Sequence, residues 1–430
     1  MSLEDFLPEG HLARFIWELM GRMDLRQLLE VYGSEAGGRP ALDPKGMLAV
    51  ILFGHATGKA SSRDLETACR EEIGFRYLCG GVLPDHSTLA RFRNRHANHV
   101  MGIFSQALRF CAEGGLVKLG VVALDGTKIA ANASLAANRT FETLAKELEE
   151  KAQTLKEAED KGQNRMMPQA FARLKDRVAR LDEAKSRLEA EQAARSESHA
   201  KQVKERETKE AQTGKKLRGR KLKAVPEKPE ESAKANPTDP DSRIMKTRKG
   251  YIQGLNAQIV VSEDQVILAA EVVNEANDQA QFEPMMEKAE AAVAALCSQG
   301  LERCIEAATA DAGYNKADNL AVAMEKPYAV FIALEKDHKQ RKAARSRKSG
   351  PRGRMPKNLT PKQRMARRLA TQVGRETYKK RSMTVEPVNG QLKAKGAGQM
   401  LRRGLPKINA DWTLICTAHN LTKLWRHTRP

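Results

Sequence analysis

Leu119-Gly-Val-Val-Ala-Leu-Asp125-Gly126-Thr-Lys128-Ile-Ala-Ala-Asn132-Ala-Ser134 decides the fold. The residues before Asp125 are small or aliphatic, as in a short strand buried on both faces, and the run breaks at Asp125-Gly126. An acid is thereby set at or just beyond a core strand. Burying a lone carboxylate costs several kcal/mol, so it needs a cation, a metal or a helix end beside it. On its own, Asp-Gly is also a common turn pair. Partner carboxylates elsewhere in the chain decide between the two readings.

Two such partners exist. Cys304-Ile-Glu-Ala-Ala-Thr-Ala-Asp311 is a second strand-like run ending in an acid, and in a mixed sheet the two strand ends would converge at one edge. Glu386 follows in Tyr378-Lys-Lys-Arg381-Ser-Met-Thr384-Val-Glu386-Pro387-Val-Asn389-Gly-Gln-Leu-Lys393. Pro387 is tolerated in the first turn of a helix, where its missing N–H is not needed, so a helix capped by Ser382 or Thr384 is expected to begin just before Glu386. Lys393 then lies about two turns later on roughly the same face. Three carboxylates around one cavity repel each other unless cations neutralise them. Two divalent ions about 3.5–4 Å apart do so and also serve in-line displacement at phosphorus. Mg²⁺ suits oxygen ligands, with Mn²⁺ as substitute. Tyr378, Arg381 and Lys393 could hold a phosphodiester beside them.

The rest of the chain supplies the setting. Its 430 residues carry a net charge of +20, a surplus that points to nucleic acid before anionic membrane surfaces. No window approaches about 18 consecutive apolar residues, and the N-terminus lacks the layout of a signal peptide, so a cytoplasmic, nucleoid-associated protein is expected. The six cysteines include no C-x-x-C pair and read as free thiols, not as zinc ligands or a disulfide framework.

Residues 1–116 read as an all-helical domain. Asp43-Pro44 looks like an N-cap followed by a first-turn proline. The pair Ser61–Arg70 and Pro84–His96, the latter carrying Arg91 and Arg93, suits a helix-turn-helix-like DNA reader. Residues 117–135 hold the opening strand. Residues 136–212 turn rich in Glu, Lys, Ala and Gln, with one stripe of Leu144, Leu148, Ala152 and Leu155 and another of Leu174, Val178, Leu181 and Leu188. Near-heptad spacing of this kind predicts a helical hairpin insertion, pairing within the chain or between two chains. Residues 213–241, with Pro226, Pro229, Pro237 and Pro240, read as a flexible linker. Within 242–335, two strand-like runs form a hairpin about Glu263-Asp264, and helix, strand, helix, strand complete a mixed five-stranded sheet. Asn256 and Gln258 alternate along one strand, facing either the site or a sheet edge. Glu275 and Asp278 read as cap or turn acids, and His419 as a core histidine.

From 336 to 381 the chain is heavily basic (Lys339, Arg341, Lys342, Arg345, Arg347, Lys348, Arg352, Lys357, Arg367 and Arg368 among others), a run that repels itself and seeks phosphates. Residues 382–430 read as C-terminal helices carrying Glu386.

Taken together, these acids in their strand and helix contexts, with Tyr378-x-x-Arg381, Glu386 and Lys393, resemble the DDE transposases of bacterial insertion sequences. Asp241-Ser-Arg-Ile-Met245, Gly254-Leu-Asn-Ala-Gln258, Trp412-Thr-Leu-Ile-Cys-Thr-Ala-His419-Asn420-Leu421 and Pro84–Arg93 are similar to that family too. Four residues separate Arg381 from Glu386 where the signature usually has three. The resemblance implies an RNase H-like α/β core behind an all-α N-terminal domain, with Asp125, Asp311 and Glu386 as catalytic metal ligands. It implies Mg²⁺-dependent cleavage at the terminal repeats of a mobile element, strand transfer into target DNA, and an assembly of two or more protomers on double-stranded DNA. Lys128 is expected to touch the substrate. Two other readings remain at this stage: a metal-dependent endonuclease that does not join strands, and a non-catalytic DNA-binding protein on the same scaffold.

Overall fold

The computed structural model describes residues 3–32, 42–214, 216, 224–335, 350–351, 353–356 and 358–429. They form two compact units, one made of residues 1–131 and 255–430, the other of residues 132–254.

The first unit is built on the expected mixed sheet. Its strands are β1 (Val122–Ala130), β5 (Gly250–Val261), β6 (Ile267–Val273), β7 (Ala307–Ala310) and β8 (Ala329–Ile332). Among the described residues the sheet has six strands where five are expected: β4 (Arg243–Thr247), β5, β1, β7 and β8 lie in that order and β6 also pairs with β5, with β4–β5 and β5–β6 antiparallel and β1–β7 and β7–β8 parallel. Alternation along β5 sorts its side chains: Leu255, Ala257, Ile259 and Val261 enter one core cluster, while Asn256 and Gln258 project to the other face. The β5–β6 turn passes through Gln265 at φ 63°.

Helices cover both faces. The C-terminal helix Leu405–His427 packs on β6 and against the N-terminal helices Pro44–Thr57 and Val100–Glu113. Asn420 fixes it to the sheet, accepting from the Ile267 amide and donating to the Ile267 carbonyl, both at 2.8 Å. Among the described residues, buried side chains of the N-terminal helices, from Leu12 and Ile16 to Leu116 and Val117, share one hydrophobic cluster with β1, β7, β8 and the helix Phe282–Ser298. The helical N-terminal region is thus continuous with the sheet's core, and no break in compactness falls at residue 116. Asp43 caps Pro44–Thr57 through the amides of Lys45 and Gly46, as its sequence implies.

One expectation about the C-terminal part is corrected. No helix starts at Ser382 or Thr384: a single helix runs Gln372–Leu392, capped by Thr371, with Pro387 in its interior. An interior proline usually costs about 3 kcal/mol, partly because the carbonyl four residues earlier loses its partner. Here that carbonyl, Met383 O, accepts from Gln265 Nε2 at 2.9 Å. A side chain on the β5–β6 turn supplies the donor that Pro387 lacks.

The second unit is the helical insertion. Phe141–Asp160 and Pro168–Thr213 lie against each other, so the stripe pairs within the chain, around Leu144, Leu181, Ala184 and Leu188. The expected linker 213–241 is in part folded. β3 (Lys234–Ala235) pairs with β2 (Arg139–Thr140), and Pro226 O accepts from Gln192 Nε2 at 2.5 Å. Asp241 is salt-bridged to Arg187, and Asn236 and Asp239 are fully buried. Prolines here fix an extended segment that the long helix binds, instead of freeing it. β4 (Arg243–Thr247) forms a hairpin with the first residues of β5. Residues 215 and 217–223 of the linker lie outside the described residues.

Candidate active site

β1 and β7 are parallel neighbours whose register pairs Leu124 with Ala310. Asp125 and Asp311 are the next residues on each, so the two acids emerge side by side where the strands' paired stretch ends. Asp311 Oδ1 accepts from the Gly313 amide at 2.8 Å and so caps the short helical turn Ala312–Tyr314.

The helix Gln372–Leu392 packs on β1 and β7 and adds the remaining groups. Arg381 is buried, with its side chain 6% exposed, and its Nη2 donates to Asp125 Oδ1 at 2.8 Å. Its Nη1 reaches Glu386 Oε1 at 3.5 Å. Asn389 Nδ2 donates to the other oxygen of Asp125 at 2.9 Å. Glu386, 47% exposed, faces the open side. Burial lifts the Asp125 carboxyl to about 6, with Arg381 pulling it down and Asp311 and Asp278 pushing it up. The guanidinium does not offset the burial of the carboxylate.

Asp278, by its sequence a cap or turn acid, stands in this cluster. Asp278 Oδ1 accepts from Asn256 Nδ2 at 2.8 Å and from Gln258 Nε2 at 2.7 Å. Gln258 Oε1 in turn accepts from the buried Tyr314 hydroxyl. Asn256 and Gln258 therefore face the site, not a sheet edge. The signals that could have found Asp278 were that pair of alternating amides and the glycines Gly126 and Gly313 just after the two acids. By contrast, Glu275 accepts from Gln281 Nε2 and stays a local turn acid, and His419 is a core histidine bonded to Gln265 O at 2.9 Å.

The expected DNA contacts divide. Lys128 lies at the centre, its Nζ 3.8 Å from Asp278 Oδ1 and without a hydrogen-bond partner among the described residues. Lys393 is exposed at the end of the Glu386 helix, and Tyr378 is half-buried at the rim of the hydrophobic core. Arg91 is exposed on the helix His86–Arg95. Arg93 is corrected: it is buried, donating to Ala60 O at 2.9 Å and to Asp411 at 2.9 Å. Arg402 grips the same Asp411 through two bonds at 2.7 Å, so Arg93 is a strut in a buried cluster, not a phosphate contact. Arg367 donates to Gly353 O at 3.3 Å, and Arg368, half-buried, to Val330 O at 3.0 Å. Lys339, Arg341, Lys342, Arg345, Arg347, Lys348, Arg352 and Lys357 lie outside the described residues.

An oxygen-only donor set with an excess of negative charge fits a hard divalent cation. Among the described residues no three His, Cys, Asp or Glu side chains already stand as a closed metal set, and the guanidinium of Arg381 separates Asp125 from Glu386. All six cysteines are free, and among the described residues no helix is long and apolar enough to cross a membrane.

Comparison with known families places both ends of the chain. Residues 1–95 match the family described as Transposase domain (DUF772), and residues 338–425 match the one described as Transposase DDE domain. The second match contains Glu386, Arg381 and Asn389. Neither the curated proteins nor the solved structures returned a match.

Proposed function

We propose that this chain, a DDE transposase of the insertion-sequence type, cuts DNA at the terminal repeats of its own element and joins the freed ends to target DNA, using an RNase H-like core. The observation that carries this reading is the placement of Asp125 and Asp311 on adjacent parallel strands, with Glu386 tied to Asp125 through the single guanidinium of Arg381.

Asp125, Asp311 and Glu386 are the groups that would hold divalent cations, two Mg²⁺ or Mn²⁺ ions. Such ions, when bound, neutralise the acids and stabilise the attacking and leaving oxygens of a displacement at phosphorus. The chain's own residues do the rest. Arg381 and Asn389 hold the Asp125 carboxylate in one orientation from both of its oxygens. Lys128, Tyr378 and Lys393 receive the phosphodiester, and Arg91 and Arg367 hold flanking backbone. Water attacks the phosphodiester at the element end and leaves a 3′-hydroxyl. That hydroxyl attacks a target phosphodiester, so one P–O bond is exchanged for another and no external energy source is needed.

Two ends must be handled together, which calls for at least two protomers on the DNA. The test uses the DNA flanking the coding region as substrate. Nicked ends and strand-transfer products in Mg²⁺ support the reading. Nicks without joined products reduce the protein to an endonuclease, and DNA binding without either to a non-catalytic scaffold.

A further inference from the structure

Two of the proposed catalytic acids, Asp125 and Asp311, are followed closely by a glycine, and the space of both missing side chains is taken by the same residue. A Cβ on Gly126 would collide with Asp278 Oδ1 and with the Gln258 amide. A Cβ on Gly313 would stand 2.9 Å from Asp311 Oδ1 and 3.1 Å from Asp278 Oδ2. Asp278 and Asp311 therefore face each other across one absent side chain, beside Asp125.

Asp278 is also held as a ligand is held. Its Oδ1 takes two amide donors from β5, and its Oδ2 lies beside Gly313, two residues after Asp311. Carboxylates that bind cations are oriented in this way by neighbours outside the coordination sphere. Independently, Asn256 is fully buried and its Oδ1 has no hydrogen-bond partner among the described residues. A buried oxygen left unmatched costs free energy unless a positive charge or a water meets it. A stray turn acid would need none of this.

We infer that Asp278 is a fourth carboxylate of the divalent-cation site, sharing an ion with Asp311, and that Asn256 and Gln258 aim it. The inference rests on the proposed role of Asp125, Asp311 and Glu386. Lys128, with its Nζ 3.8 Å from Asp278 Oδ1, is left to pair with a substrate phosphate.

The test is Mn²⁺ binding to the DNA-free full chain, followed by electron paramagnetic resonance of the free ion. Asp278→Asn keeps an acceptor oxygen for both amides and is expected to bind Mn²⁺ at least about tenfold more weakly, with an unchanged circular dichroism spectrum. Asn256→Ala, which retains every acid, is expected to weaken binding several-fold and carries the test if Asp278→Asn does not fold. Wild-type affinity in these variants, with weakened binding in Asp125→Asn, overturns the fourth-acid assignment alone. Wild-type affinity in Asp125→Asn as well overturns the reading of the whole site.

Discussion

Nη2 of Arg381 donates to Oδ1 of Asp125 at 2.8 Å, and this is the closest charge compensation the buried acid receives in the free protein. Burial still outweighs it, holding the Asp125 carboxyl at about 6. A carboxyl whose folded value is raised contributes its full stability below the unfolded value near 3.8 and loses it as pH rises through about 6. The loss is on the order of 3 kcal/mol. Asp125→Asn should therefore make the metal-free protein more stable than wild type at pH 7.5, with the difference vanishing near pH 4. Urea denaturation in EDTA at the two pH values measures it. Equal stability at pH 7.5 contradicts the electrostatic account.

Arg93 and Arg91 lie on one helix and should behave oppositely. Arg93 shares Asp411 with Arg402, and both partners of the Arg93–Asp411 pair are 4% exposed. Removing one member of a buried ion pair typically costs about 3–5 kcal/mol, here toward the low end because Arg402 remains. Arg93→Ala should lower the denaturation midpoint sharply, while Arg91→Ala should leave it within about 0.5 kcal/mol and weaken DNA binding. Gel-shift and urea titrations separate the two effects.

Gln265 and Pro387 form a coupled pair through the Met383 carbonyl. Gln265→Ala strands that oxygen and is expected to cost about 1 kcal/mol. In a Pro387→Ala background the helix supplies its own N–H, so the same substitution should cost less. A double-mutant cycle by chemical denaturation reads the non-additivity.

His419 is held at about 4 by burial, partly opposed by its bond to the Gln265 carbonyl. A base with a lowered folded value stays neutral while the unfolded chain takes up a proton, so stability falls as pH drops below about 6.5. Between pH 7.5 and 5 the loss from this residue is about 2 kcal/mol. His419→Gln should flatten that part of the stability profile.

Much of this was legible in the sequence because it depended on local pattern. Asp125 and Asp311 close apolar runs of strand length, and strands at those positions put them together; Asp125-Gly126 is not the strand end it looks like, because β1 runs on to Ala130. The hairpin about Asp264, the insertion helices and the Asp43 cap were likewise written in neighbouring residues. What escaped reading depended on partners distant in the chain. Pro387 looked like a helix start because its substitute donor, Gln265, lies on a turn between two strands. Arg93 looked like a phosphate contact because Asp411, which buries it, belongs to the C-terminal helix. Prolines at 226–240 suggested a free linker, since nothing local announces that the long helix binds them. Asp278 looked like a turn acid because its holders, Asn256 and Gln258, sit on β5.

As proposed, Asp125, Asp311 and Glu386 form one catalytic acid centre for DNA strand cleavage. The most direct measurement is nicking of element-end DNA in Mg²⁺ by purified wild-type protein and by Asp125→Ala, with end binding followed in parallel. Asp125→Ala is expected to bind the ends like wild type and to produce no detectable nick. Nicking by Asp125→Ala at the wild-type rate would contradict it.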